Sequence, residues 1–461
     1  MPVPVAADLE AHLEASRERR LASYLDLIRI PSISAIPAHA ADCRAAAEWL
    51  VRELDRIGMT ASLDETGGHP MVYGEWLGAP GAPTVLVYAH YDVQPVDPLD
   101  EWTSPPFEPV VEDGRVRGRG ASDDKGNLAV ALGAVEALLA VRGSLPLNVK
   151  LVFEGEEESS SPHLDPWLER NRERLRADVA LVADSGFWLG NLPAITVGLR
   201  GICAAEIRVR GPYQDVHSGQ HGGAIANPVN ALATIIAALK GPDGRIAIPG
   251  FYDDVVDLTP AERALMAELP FDEAEYKAWL QIPALVGEAG WTTLERAGAR
   301  PTLDVNGIWG GFQGEGGKTI IPGKAGAKIT CRLVANQRPE RIFELLKAHV
   351  LAIAPPGVTV EVIDGGGGLP TTTPLDHPAT AAFADALEAT WDRRPLFVRT
   401  GGSIPIAASF ERIVGLPVTV VGFVPEDGNF HAPNEWMRLD NLEGGIRAMI
   451  RFFERYAAGA G

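Results

Sequence analysis

The chain has 461 residues, of which 46% are hydrophobic, 22% charged and 7% aromatic, a makeup that excludes a wholly disordered or fibrous protein. That length exceeds the roughly 250–300 residues at which a single core stops growing, so more than one domain is expected. Lys plus Arg number 41 against 61 Asp plus Glu, a net charge of −20, which repels phosphate backbones and argues against nucleic acid as a partner.

Cys43, Cys203 and Cys331 lie far apart, without a CxxC pair. That spacing disfavours a disulfide framework or a cysteine zinc knuckle and fits a reducing compartment. Residues 1–20 hold no apolar core segment, and no run of about 18 apolar residues occurs. A cytoplasmic chain that does not span a membrane is expected.

In chain order, Ala46, Leu50, Leu54 and Ile57 fall at helical spacing, with Gly58 as the C-cap. The hydrophobic run 84–89 predicts a strand ending at His90. Beyond Gly118-Arg119-Gly120-Ala121-Ser122-Asp123-Asp124-Lys125-Gly126, the positions of Leu128, Leu132, Val135 and Leu139 predict a long helix. Strands are expected at 147–153, before Glu154-Gly155-Glu156-Glu157-Glu158, and at 179–183, before Asp184. This alternation predicts an α/β layer architecture around a largely buried sheet.

The middle of the chain differs. It reads as a strand at 203–209, a helix at 230–239, a long polar excursion, strands at 327–333 and 358–363, and a helix at 339–350. Asp364-Gly365-Gly366-Gly367-Gly368 reads as a flexible joint and a boundary. A helix at 379–390 and a strand at 418–421 then resume the first pattern. Gly310 to Gly317 is glycine-rich but lacks the order of a phosphate loop.

His90, Asp123, Glu157, Glu158, Asp184 and His431 each sit in or beside a loop that follows an expected strand or opens a helix. In open α/β sheets ligands gather outside the carboxyl ends of strands, so these distant residues can converge. Two imidazoles and several carboxylates suit zinc, manganese or cobalt; with one carboxylate shared they suit two cations roughly 3.5–4 Å apart. Each residue also has a plain structural reading. Asp123-Asp124 can cap the following helix, the glutamate run can be a solvated acidic turn, and Asp184 can be a turn residue.

His90-Tyr91-Asp92-Val93-Gln94-Pro95, the Gly118–Gly126 segment and Glu154–Glu158 resemble the HxDVxP, GRGxxDDKG and EGxEE signatures of the M20 metallopeptidases. The resemblance extends to Asp184-Ser185-Gly186, Gly198-Leu199-Arg200-Gly201, Asp215-Val216-His217-Ser218-Gly219 and the region of His431, covering roughly residues 20–455. It implies an α/β fold of two domains. One is a catalytic three-layer α/β/α domain with a mixed central sheet, in two parts at 1–200 and 367–461. The other is an inserted, smaller α+β lid and dimerisation domain at 201–366.

The resemblance further implies that His90 and Asp184 hold one divalent metal and Glu158 and His431 the other, with Asp123 bridging. Zinc is expected, with manganese or cobalt as alternatives. Asp92 would orient the His90 imidazole, and Glu157 would serve as general base to a hydroxide bridging the metals. Within the carnosinase-like dipeptidase branch, His217 would reach a neighbouring subunit's active site and stabilise the oxyanion. Thr319, Arg332, Gly402 and Ser403 would contact substrate, Arg332 gripping a free carboxylate. The expected activity is hydrolysis of an amide bond in dipeptides or short peptides, by a homodimer formed through the lid domain; the alternative is an N-acyl or N-carbamoyl amino acid amidohydrolase on the same scaffold. This chain departs from its relatives at Glu156, where an apolar residue is common, at Phe430, directly before the histidine, and at His221 beyond the HSG motif.

Overall fold

The computed structural model describes residues 5–402 and 404–459. The chain divides into two compact units, one of Met1–Val197, Thr373–Val398 and Ile406–Gly461, the other of Gly198–Thr372 and Arg399–Pro405.

The first unit is built on an eight-stranded mixed sheet. Its order is Thr60–Asp64, Met71–Trp76, Asn148–Glu154, Thr84–His90, Val179–Ala183, Val418–Val421, Ala194–Leu199, Leu396–Thr400. Thr84–His90 runs parallel to Asn148–Glu154 on one side and to Val179–Ala183 on the other, and Val418–Val421 runs parallel to Val179–Ala183. Apart from Lys150 and Thr419, the interior positions of these central strands are apolar without alternation because both faces are covered. Val85, Val87 and Ala89 enter a core shared with helices Ala7–Ile28, Ala40–Ile57, Lys125–Arg142, Pro378–Trp391 and Leu439–Gly459. Tyr88 points to the opposite face and meets Phe410 edge-on, with ring centroids 6.0 Å apart. The result is helix, sheet and helix in three layers.

Gly58 ends Ala40–Ile57 in the left-handed conformation, as its position predicts. The helix at Lys125–Arg142 is more deeply set than a single stripe suggests, with Gly126, Val130, Ala134 and Leu138 also buried. A methyl group on Gly133 would stand 2.7 Å from Ile446, and one on Gly445 2.8 Å from Phe423 and 2.9 Å from Val130. Both positions therefore hold Leu439–Gly459 close against its neighbours.

The second unit carries a four-stranded antiparallel sheet, ordered Thr302–Gly310, Lys324–Leu333, Gly201–Arg210, Thr359–Gly368. Burial alternates along Gly201–Arg210, the period of a sheet with one covered face. Cys203, Ala205, Ile207 and Val209 pack in one core with Leu232 and Ile235 of helix Pro228–Ala237 and with Leu346 and Val350 of helix Pro339–Ile353.

Two expectations change here. The glycine run is no joint: it completes the strand Thr359–Gly368, where Gly367 and Gly368 pair with Cys203 and Ile202 after a register shift. Backbone ladders need no side chains, so glycines can sit in a strand wherever a neighbour supplies the pairing. The polar excursion is also ordered, into helices Pro260–Ala267, Glu273–Leu280 and Thr293–Gly298. Capping boxes at Thr259/Glu262 and Thr292/Glu295 start two of them.

Candidate metal centre and active site

His90 is the last residue of its strand and lies in register with Glu154, the last residue of the parallel neighbour. Asp184 follows Val179–Ala183 on the other side. Glu157 and Glu158 occupy a single 3-10 turn, Glu157–Ser159, just beyond Glu154. The carboxyl ends of three adjacent parallel strands thus deliver four of the six predicted side chains to one rim. Asp123 arrives from the turn before Lys125–Arg142, and His431, at φ 58°, from the loop before Trp436–Arg438.

Asp123 stands at the middle of this cluster. Its Oδ1 lies 3.1 Å from His90 Nε2 and its Oδ2 3.0 Å from His431 Nε2. Asp184 Oδ1 is 3.8 Å from His90 Nε2, and Glu158 Oε2 is 3.3 Å from His431 Nε2. Two sets of donors converge closely enough to hold an ion each: His90, Asp124 and Asp184, and Asp123, Glu158 and His431. Asp124 is partly engaged already, its Oδ2 accepting the His90 backbone N–H at 3.1 Å and its Oδ1 the Asn127 amide at 2.8 Å.

Asp92 braces the site from behind. Its carboxylate accepts the backbone N–H groups of Glu157 at 3.2 Å and Glu158 at 3.0 Å. Its carbonyl lies 3.0 Å from His90 Nδ1 and its Oδ1 3.4 Å away. Oxygen on the Nδ1 side leaves Nε2 directed at Asp123, as metal-bound imidazoles require.

The electrostatics are those of a cation site. Burial, with Asp184 beside it, pushes the Glu157 carboxyl well above its ordinary range. Burial also raises Asp184 to about 7, against the pull of His90. Burial works against ionised Asp123, yet bonds to His431 and His90 hold it far below the usual carboxylate range. Bonds to Asp123 and Glu158 lift His431 to about 10. Glu158 Oε1 is buried without a hydrogen-bond partner, a costly state for a carboxylate oxygen unless a cation meets it. Imidazole and carboxylate donors, this orphaned oxygen and crowded acids together fit divalent metal ions.

Two of the plain structural readings give way. Asp124 makes no side-chain cap to its helix. The glutamate run is not solvated: Glu154 is buried and accepts Tyr88 O–H at 2.7 Å. Glu156 is buried against His163 at 2.8 Å and accepts the His69 N–H at 3.1 Å. Three further residues touch this cluster. Gln94 donates to Glu158 Oε2 at 2.7 Å; Asp124 was visible beside Asp123; Glu435, whose carboxylate accepts the Asp123 N–H at 2.9 Å, has no local signal.

The remaining predicted residues belong to the second unit. Val216–His217 pairs with Ile320–Ile321, and Ser218 N–H donates to the Thr319 carbonyl at 3.1 Å, so His217 and Thr319 are neighbours. Exposed His217 accepts the Gly219 N–H on Nδ1 at 3.0 Å. Arg332 is half-buried in its strand, opposite Thr302 and Ile202. The Gly402 carbonyl accepts the Arg200 N–H at 3.1 Å. Burial and the charge of Arg332 lower Arg200 to about 10. Ser403 lies outside the described residues.

A three-layer α/β unit with paired imidazole–carboxylate clusters at its strand ends defines a metal-dependent hydrolase. The sequence model of Peptidase family M20/M25/M40 matches residues 86–455, and the chain belongs to that family of metallopeptidases. It is 32% identical over 450 residues to the Cys-Gly metallodipeptidase dug1 of Schizosaccharomyces pombe, covering 94% of each chain. It is 31% identical to the human Beta-Ala-His dipeptidase, over 83% of this chain and 77% of that one. The crystal structure of the M20 family metallo-carboxypeptidase Sso-CP2 from Sulfolobus solfataricus superposes with a TM-score of 0.85 at 33% identity, covering 95% of this chain and 99% of that one. Among the described residues no helix is long and apolar enough to cross a membrane.

Proposed function

We propose that this protein is a dipeptidase that hydrolyses the amide bond of dipeptides or short peptides with a free C-terminal carboxylate, using two divalent cations. The observation that carries this reading is Asp123, whose two oxygens each face the histidine of a different donor set. His90 and Asp184 would hold one cation and Glu158 and His431 the other, zinc foremost, with Asp123 common to both. The names of the related dipeptidases support the substrate class.

A bound pair of cations supplies Lewis acidity to the scissile carbonyl and lowers the pKa of an attacking water. Glu157, whose proton affinity is raised by burial, takes the proton of that water and returns it to the leaving amine nitrogen. Asp92 fixes both the His90 ring and the turn that carries Glu157. In the second unit, read as a lid and dimerisation domain, His217 accepts on Nδ1, so the neutral ring carries its proton on Nε2. That N–H serves as the oxyanion donor for a second copy's site in a homodimer. Arg332 receives the substrate carboxylate as a planar fork, with Thr319 and Gly402 lining the same subsite. We read the unit of Gly198–Thr372 and Arg399–Pro405 as that lid, and a cytoplasmic location fits the three free cysteines.

The test is a substrate screen on protein loaded with Zn²⁺ or Mn²⁺, using dipeptides, C-terminally amidated dipeptides, and N-acetyl and N-carbamoyl amino acids. Dipeptides should turn over, EDTA should abolish the activity and added metal should restore it. Amidation should cost about 10–100-fold, the worth of a charge-assisted bond. Turnover of N-acyl or N-carbamoyl amino acids but not dipeptides would overturn the assignment.

A further inference from the structure

Glu435 lies fully buried, and both of its carboxylate oxygens are filled by N–H donors from one turn. Oε1 accepts from the backbone of Ser122 at 2.8 Å and of Asp123 at 2.9 Å. Oε2 accepts from the backbone of Gly120 at 2.9 Å and from the Arg119 guanidinium at 2.8 Å. Its own carbonyl accepts the Gly118 N–H at 2.9 Å. One residue from the C-terminal part of the chain therefore holds the backbone of this turn at Gly120, Ser122 and Asp123 through its carboxylate and at Gly118 through its carbonyl.

Glu435 also stands four residues after His431, on a segment tied back to the same loop. Trp436 N–H donates to the Gly428 carbonyl at 3.0 Å, and Ser122 Oγ donates to the Trp436 carbonyl at 2.7 Å. Trp436–Arg438 continues as a strand against Arg115–Arg117. The two residues whose side chains meet at 3.0 Å in the centre of the cluster, Asp123 and His431, thus come from segments joined by one carboxylate.

We infer that Glu435 is a positioning residue that sets the spacing of Asp123 and His431, and thereby the affinity of the paired cation site. This rests on the proposed metal reading. Its carboxylate meets four donors and so works only as an acceptor of hydrogen bonds. Glutamine keeps the shape but brings an NH2 group to one pair of those donors, whichever way the amide turns. The turn must then shift, and the Asp123 carboxylate shifts with it.

Titration of metal-free protein with Mn²⁺ alone, followed by calorimetry, reads this directly. Wild type should bind two ions per chain. Glu435→Gln should bind them about 10–100-fold more weakly, the usual cost of losing a partner behind a metal ligand. Its kcat should fall with KM within about threefold, because the substrate subsite is untouched. Ser122→Ala breaks only the bond to the Trp436 carbonyl and should weaken Mn²⁺ binding in the same direction by a smaller factor. A folded Glu435→Gln protein with wild-type Mn²⁺ affinity, changed only in thermal stability, would overturn the inference. Should Glu435→Gln not fold, wild-type affinity in Ser122→Ala overturns it instead. Wild-type protein that binds no Mn²⁺ removes the metal reading and this inference together; equal binding by wild type and variants removes the inference alone.

Discussion

Asp123 and Glu157 are both acids of one buried cluster, and their surroundings drive them in opposite directions. Two imidazoles hold Asp123 as a carboxylate, whereas burial and the neighbouring Asp184 raise the proton affinity of Glu157. Environments that separate two acids in this way suit them to separate roles, and the proposed mechanism uses Asp123 as charge anchor and Glu157 as proton carrier. Glu157→Ala should lower kcat by about 10²–10⁴-fold, while the metal content of the purified protein stays at two ions per chain. Loss of a metal ion in that variant would make Glu157 a ligand instead. At this scale the sequence exposes much of the site, because His90, Asp123 and the glutamates stand inside dense polar motifs. Glu435 and Gln94 carry no such signal, since a residue that acts on another's backbone or carboxylate needs no distinctive neighbour.

Among the elements, the central strands were the most legible. Strands 84–90 and 179–183 have unbroken apolar interiors, 148–154 is interrupted only by Lys150 and 418–421 only by Thr419, and His90, Glu154 and Asp184 stand where three of these runs end. Composition misleads where pairing decides the outcome, as in the glycine run that completes an edge strand. The excursion helices were marked by Thr259-x-x-Glu262 and Thr292-x-x-Glu295, but a polar surface and short length hide their period. The helix Leu439–Gly459 makes a further demand that its amphipathic pattern does not show: Gly445 faces Phe423 and Val130 with no space for a methyl group. Gly445→Ala should therefore destabilise the first unit by about 1–3 kcal/mol, as overpacking does. Thermal unfolding checks this; an unchanged melting temperature would mean that the helix shifts freely.

Across the whole molecule, the predicted residues are divided between the two units. His90, Asp92, Asp123, Glu157, Glu158, Asp184 and His431 belong to the first, and His217, Thr319, Arg332 and Gly402 to the second. In a homodimer in which His217 acts on its partner's site, mixing inactive His217→Ala subunits with inactive Glu157→Ala subunits should restore part of the activity. No recovery after verified subunit exchange would place His217 outside the partner's reaction. In the proposed centre one aspartate, Asp123, sits between two cations. Anomalous diffraction from crystals grown with Zn²⁺ tests it most directly. Two peaks roughly 3.5–4 Å apart are expected, one beside His90 and Asp184, the other beside Glu158 and His431, with Asp123 touching both. A single peak, or ions bound away from Asp123, would contradict it.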